Sequence, residues 1–266
     1  SVIFKNFISA VILAFYGFRA DADVIYSRDE IILYLLSFFK KNLVFEAHRF
    51  SSKRAIFYKR FRSQNIKLVV ISEAIKKDFL NFGFESGSIL VAHDGVNLEE
   101  FNVSITKLEA RKLFFKNLHE ESFQRKRIAV YIGSLFSWKG IKVFSEIARY
   151  LKPDPNFLLA IFGGTGKEIE KIKKDFEQIK NEIHPQVVPM IYTQSHVPHK
   201  DIPYILKAAD CAILTGDETQ EISARYTSPL KMFEYMASGC PIVAQDLPSF
   251  REVLNENNAI FAKPGD

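Results

Sequence analysis

Only two cysteines occur in 266 residues: Cys211 lies in an apolar run and Cys240 precedes a proline. That excludes a disulfide framework and leaves no metal-ligand spacing, so a reducing, cytoplasmic setting is the simpler expectation. A strong charge of one sign is also missing. The 36 basic residues exceed the 31 acidic ones only slightly, for a net charge of +5, which argues against a nucleic-acid partner unless that excess is concentrated somewhere. The apolar opening stretch FISAVILAFYGF (7–18) is shorter than the roughly 18 to 20 residues needed to cross a bilayer, and no cleavage-site pattern follows it; a core helix is expected there. Short-period repeats and low-complexity tracts are absent as well. The chain begins at Ser1 without a methionine and stops soon after AIFAK (259–263), which suggests a piece cut at both ends.

What is present is a pattern of alternation. Hydrophobic residues make up 47% and charged residues 25% of the chain, enough to bury the core of one large or two ordinary domains. Brief runs rich in branched and aromatic residues recur at 23–27, 42–47, 67–72 and 88–93, and again at 128–133, 157–163, 186–192, 211–215, 241–245 and 259–263. They are too continuous to alternate faces, which predicts strands covered on both sides in parallel sheets. The segments between them suit helices: Ser72 precedes EAIKKDFLNFG, with Glu73 in the first turn and Gly83 at the end, a serine cap and a glycine stop. Two groups of strand–helix units, joined near 97–105, predict an α/β protein of two facing Rossmann-like domains, 1–100 and 101–266.

Three loops could carry chemistry. In AVYIGSLFSWKG a strand ends at Gly133 and the following loop holds Ser134, Lys139 and Gly140. Ligands of open parallel sheets bind at the carboxyl ends of strands, where backbone amides and one ammonium can hold a phosphate; an ordinary tight turn with a solvated lysine is the plainer alternative. Gly163, Gly164 and Gly166 form a second strand-to-helix loop, which permits close backbone approach but serves any sharp turn. The third stretch is SPLKMFEYMASG (228–239). Ser228 as helix cap and Pro229 in the first turn would aim free N–H groups outward. Leu230, Phe233, Met236 and Ala237 would then share one face, with Lys231 and Glu234 at its border. A carboxylate there can accept from the two hydroxyls of a ribose; an exposed Lys231–Glu234 pair is the plain alternative.

Taken together and in order, YIGSLFSWKG, LLAIFGGTGKEIEKI, HKDIPYILKAADCAIL, SPLKMFEYMASGCPIVAQDLPSFREVL and AIFAKPGD resemble the retaining glycosyltransferases of the GT-B fold. In the first half DVIYSRD, LVFEAH, VVISEAIKKDFLNFG and ILVAHDGVNLEEF are similar to the later part of that family's N-terminal domain. The resemblance implies metal-independent hexosyl transfer with retention, from a nucleotide-diphosphate sugar to a glycan or lipid-linked acceptor, in cell-envelope polysaccharide synthesis. No cofactor is implied beyond the donor itself. It further implies catalytic roles for His48, Lys139 and Glu234, and donor contacts from Gly133, Ser134, Lys139, Gly163, Gly164, Arg225, Ser228, Leu230, Lys231 and Glu234. In this scheme Lys139 and the amides near 228–231 hold the diphosphate, Glu234 the ribose, and His48 makes a polar contact to the donor sugar.

Two departures stand out. Ser134 occupies a position where the family often has arginine, and Tyr226 one where it often has glutamate; Arg225 or Lys231 is expected to supply the missing positive charge. The stretch from Lys40 to Lys67 holds nine lysines and arginines against the single Glu46, interleaved with Phe57, Tyr58 and Phe61. It suggests either a surface that could rest on anionic lipid, giving peripheral membrane contact, or a solvated cationic face. A nucleotide-sugar epimerase of the same architecture and a non-catalytic nucleotide-sugar or polyanion-binding subunit are the rival readings.

Overall fold

The structure, a computed structural model, describes residues 2–115, 126–150, 154, 156–183 and 190–264. Its contacts divide the chain into two compact units, one of Ser1–His93 with Arg225–Ser228 and the other of Asp94–Ala224 with Pro229–Asp266. The segment around 97–105 thus groups with the second unit.

In the first unit β1 (Ile25–Ser27), β2 (Leu43–Ala47), β3 (Lys67–Val70) and β4 (Ile89–Val91) form a parallel sheet in chain order. Around it lie α1 (Val2–Arg19), α2 (Glu30–Leu36), α3 (Ala55–Ser63) and α4 (Glu73–Asn81). The core gathers Leu33, Phe45, Tyr58, Phe61, Val70 and Phe79. Ser72 caps α4 as expected, its hydroxyl accepting from the Ile75 N–H at 3.3 Å, and Gly83 follows the helix at φ +99°. Asp29 does the same for α2, accepting from the amides of Ile31 and Ile32.

Two expectations for this unit need correction. The opening stretch is helical, but α1 is no core helix: Ala10 and Ala14 are buried, whereas Phe7, Ile12, Leu13, Phe15 and Tyr16 are exposed. Among the described residues no helix is long and apolar enough to cross a membrane. On α3 the aromatic residues face inward, with Tyr58 and Phe61 fully buried and Phe57 packed against the core. Several cations on α3 and just before it are engaged as well. Arg54 pairs with Glu30, Arg60 bonds Ser37 and lies 4.1 Å from the Phe38 ring centre, and Arg62 donates to the Phe82 carbonyl. Basic groups and aromatics therefore do not form one amphipathic surface here, because the rings are needed to fill the core.

The second unit contains α5 (Leu98–Phe101), α6 (Lys107–Phe114), β5 (Arg127–Ile132), α7 (Val143–Tyr150), β6 (Phe157–Phe162), α8 (Gly166–Ile183) and β7 (Met190–Gln194). After these come α9 (Ile202–Ala208), β8 (Cys211–Leu214), α10 (Leu230–Ala237), β9 (Ile242–Gln245), α11 (Pro248–Arg251) and β10 (Ile260–Ala262). The strand expected over 186–192 begins at 190 in the structure, and residues 186–189 lie outside the described residues. All pairings are parallel, in the order β10-β9-β8-β5-β6-β7. The continuity of the apolar runs has a direct cause. Along β5, Ile128, Val130 and Ile132 enter one core with α9 and α10, while Ala129 and Tyr131 enter another with α7 and α8. Strand order reverses between β5 and β8, the place where open α/β sheets leave a crevice beyond their carboxyl ends.

Candidate functional site

The crevice is bounded by the loops that leave β5, β6 and β8. Gly133 follows β5 at φ +152°, and Gly163 follows β6 at φ +119°. A Cβ on Gly163 would overlap the Gly133 carbonyl, so the two loops touch through bare backbone and only glycine fits. Gly164, at φ +74°, packs against the side chain of Leu135. Thr165 and Glu168 then start α8 reciprocally: each side chain accepts from the other's amide, at 3.3 and 2.8 Å.

Lys139 ends a tight 3-10 turn, Ser137–Lys139, which is stopped by Gly140 in the left-handed region at φ +71°. That turn is fastened to the end of β8. The Thr215 hydroxyl donates to the Lys139 carbonyl at 2.6 Å, and Gly140 lies so close to Gly216 that a side chain would overlap the Gly216 carbonyl. Burial lowers the Lys139 pKa, and the charge of Glu234 partly opposes that shift.

Lys231 and Glu234 come from α10. The helix begins at Leu230 with Pro229 as its extended cap residue, so the expectation that Ser228 caps it is corrected. Ser228, one residue before that cap, is buried and groups with the first unit. The faces differ too: Met232 and Tyr235 fill the core, Lys231 and Glu234 are buried, and Leu230 and Met236 are exposed. Tyr235 pins the helix to β5, its hydroxyl accepting from the Ile132 N–H at 3.0 Å. Nor is Lys231–Glu234 an exposed ion pair. The Lys231 ammonium has no hydrogen-bond partner in its buried position and lies 4.3 Å from the Tyr131 ring centre, a cation–π contact. Burial holds its pKa well below 10.5; Lys139 adds to that depression and Glu234 counters it.

Glu234 meets a residue that sequence reasoning passed over. His199 Nε2 lies 3.0 Å from Glu234 Oε1, and His199 Nδ1 lies 3.7 Å from Glu100 Oε2 on α5. His199 also lines a cavity of about 460 Å³ with Gly133, Ser134, Gly163, Gly164 and His196. A lone histidine in a turn, 35 residues from its partner, carries no periodic signal. Tyr131 was hidden differently, as one aromatic among the apolar residues of a strand; its hydroxyl donates to the Ser134 carbonyl at 2.9 Å beneath the first loop.

Gly133, Ser134, Lys139, Gly163, Gly164, Lys231 and Glu234 are thus brought together in the second unit, with Leu230 exposed at the start of α10. Arg225 and Ser228 group with the first unit. There the Arg225 guanidinium lies 3.6 Å from Asp78 and 5.3 Å from the Tyr226 ring centre, and the Tyr226 hydroxyl donates to Asp78 at 2.5 Å. His48, also in the first unit, follows β2 and bonds Glu46 at 2.5 Å. Burial would raise the Glu46 pKa, but hydrogen bonds from His48 and Tyr26 outweigh it and hold the carboxyl below its ordinary value. Burial and this contact push the Tyr26 phenol up to about 12.

Beside the glycine loops Lys139, Lys231 and Glu234 lie within electrostatic reach of one another, the Lys231 ammonium buried without a hydrogen-bond partner, although none of the three lines the cavity itself. Comparison with known proteins identifies the family. Residues 114–266, more than half of the chain, match the family of group 1 glycosyl transferases. The N,N'-diacetylbacillosaminyl-diphospho-undecaprenol alpha-1,3-N-acetylgalactosaminyltransferase of Campylobacter jejuni is 25% identical over 204 residues, 74% of this chain and 47% of that protein. The processive diacylglycerol alpha-glucosyltransferase of Acholeplasma laidlawii is 25% identical over 185 residues, 66% of this chain and 49% of that protein. The chain therefore spans about half the length of these curated relatives. Alr3699/HepE of Anabaena, crystallised with UDP and glucose, superposes over 97% of this chain and 68% of its own, with a TM-score of 0.72 and 15% identity. The α/β fold with parallel sheets is that of its GT-B glycosyltransferase neighbours, and the chain belongs to the group 1 glycosyl transferase family.

Proposed function

We propose that the second unit binds a nucleotide-diphosphate hexose, and that the protein transfers the hexose with retention and without a metal to a glycan or lipid-linked acceptor of the cell envelope. The observation that carries this reading is the buried, unpartnered ammonium of Lys231 beside Lys139 and Glu234 at the switch point of the sheet. A buried cation with no hydrogen-bond partner is unfavourable, so this ammonium suits an anionic ligand. Lys139 and Lys231 would hold the diphosphate, with the backbone at Gly133, Gly163 and Gly164 allowing its close approach.

The chemistry follows from charge. Breaking the bond between sugar and diphosphate leaves negative charge on the departing nucleotide, and fixed cations in a partly dry site stabilise it most where it develops. Lys139 and Lys231 supply that positive charge and Glu234 takes a ribose hydroxyl. Here Lys231 takes over the part expected of Lys231 or Arg225, because Arg225 is already engaged by Asp78. Two relatives are named for lipid-borne substrates, which supports an acceptor of that kind.

The test is transfer or slow hydrolysis of a panel of UDP-, GDP- and ADP-hexoses, with product analysis. Donor turnover that falls at least a hundredfold in Lys231→Met and in Glu234→Ala is expected. Unchanged turnover in both variants would reject the assignment, and release of an epimer without any acceptor would favour an epimerase.

A further inference from the structure

We propose that His199 is a positioning residue that holds Glu234 in the orientation needed to read the ribose of the donor. Because a carboxylate only accepts, the 3.0 Å contact requires His199 Nε2 to carry the proton and donate to Oε1. Glu100 on α5 lies 3.7 Å from Nδ1 on the other side of the ring, beyond hydrogen-bond distance, so Glu234 is the hydrogen-bond partner of the imidazole. Among the described residues Glu234 Oε1 has no other hydrogen-bond donor, and Oε2 remains for a ligand hydroxyl.

The need for such a brace comes from the neighbours. Glu234 lies within electrostatic reach of both Lys139 and Lys231, and Lys231 is three residues earlier on the same helix, where i, i+3 side chains meet. Without His199 the carboxylate has a competing partner in the buried ammonium. Closing that pair would withdraw the carboxylate from the ribose and neutralise a cation needed by the diphosphate. His199 separates the two functions, leaving the lysines to the phosphates and Oε2 to the sugar of the nucleoside. The side chain of His199 is 59% exposed, so its replacement removes a contact without opening a core.

This inference rests on the reading of Glu234 as the ribose partner, and one experiment separates the two. Binding of UDP, GDP, ADP and inorganic pyrophosphate is measured by calorimetry on the wild-type chain, His199→Ala, His199→Gln and Glu234→Ala. Pyrophosphate has no ribose, so the ratio of nucleotide affinity to pyrophosphate affinity reports the ribose contact. For the nucleotide that binds wild type most tightly, the ratio should fall about tenfold in His199→Ala and in Glu234→Ala, and return to within threefold in His199→Gln, whose amide can still donate. A ratio lowered in Glu234→Ala but unchanged in His199→Ala overturns the role of His199 alone. A ratio unchanged in both, or no nucleotide binding by wild type, overturns the ribose reading with it. A lowered ratio that Gln does not restore overturns the positioning role.

Discussion

Lys231 keeps its ammonium where the protein offers no oxygen to receive it, and that choice has a consequence for stability. The unfolded chain holds this proton up to the ordinary value of 10.5, whereas the folded chain releases it earlier because the group is buried beside Lys139. The unfolded state therefore binds more protons between those limits, and this residue makes folding more favourable as pH rises through them. Lys231→Met should raise the apo stability at pH 7 by about 1 kcal/mol or more, and the gain over wild type should shrink towards pH 10. The same variant should lose at least tenfold in UDP affinity. Thermal unfolding across pH, with and without UDP, checks both expectations; a variant less stable than wild type at pH 7 contradicts the first. Gly163 is the opposite kind of residue, indispensable for what it lacks. Gly163→Ala must place a methyl against the Gly133 carbonyl at a positive φ, and a loss of about 3 kcal/mol or more in urea unfolding is expected.

At the scale of elements, α10 shows how a helix carrying site residues is aimed. Its length is only eight residues, so its direction depends on what its buried face touches. The Tyr235 hydroxyl answers the last N–H of β5, at Ile132, in a place closed to solvent. Tyr235→Phe leaves that amide without its partner, and denaturant unfolding should show a loss of about 1–3 kcal/mol. Donor affinity should fall as well, because Lys231 and Glu234 ride on the same two turns. This element was only partly legible in the sequence. Its existence followed from the pattern, but its start did not: serine before proline is the usual signature of a cap, and here Pro229 takes that position. The run at β5 was legible because that strand lies between two cores, so every residue from Ile128 to Ile132 is buried. Lys139 and the glycine loops were legible for a related reason, since they stand directly after strands. His199 and Tyr131 were not, because what distinguishes them is a partner distant in sequence.

For the molecule as a whole, each unit has its own core, and the groups proposed to bind the donor diphosphate and ribose belong to the second. A large cut in the other core tests that separation. Phe79 is fully buried among Phe45, Phe50, Tyr58 and Phe84, and Phe79→Ala should cost about 3–5 kcal/mol, seen as faster amide exchange in residues 25–93. UDP affinity should stay within threefold; a larger drop would bring Arg225 and Ser228, which group with that core, into the donor site.

The four residues from Arg225 to Ser228 are separated in sequence from the rest of their unit by more than a hundred positions, and Tyr226 hands its proton-bearing oxygen to Asp78. Recombination at one crossover near residue 93 would therefore strand this tetrapeptide with a foreign host. Hybrids that swap halves with a relative should carry positions 78 and 225–228 from the same parent.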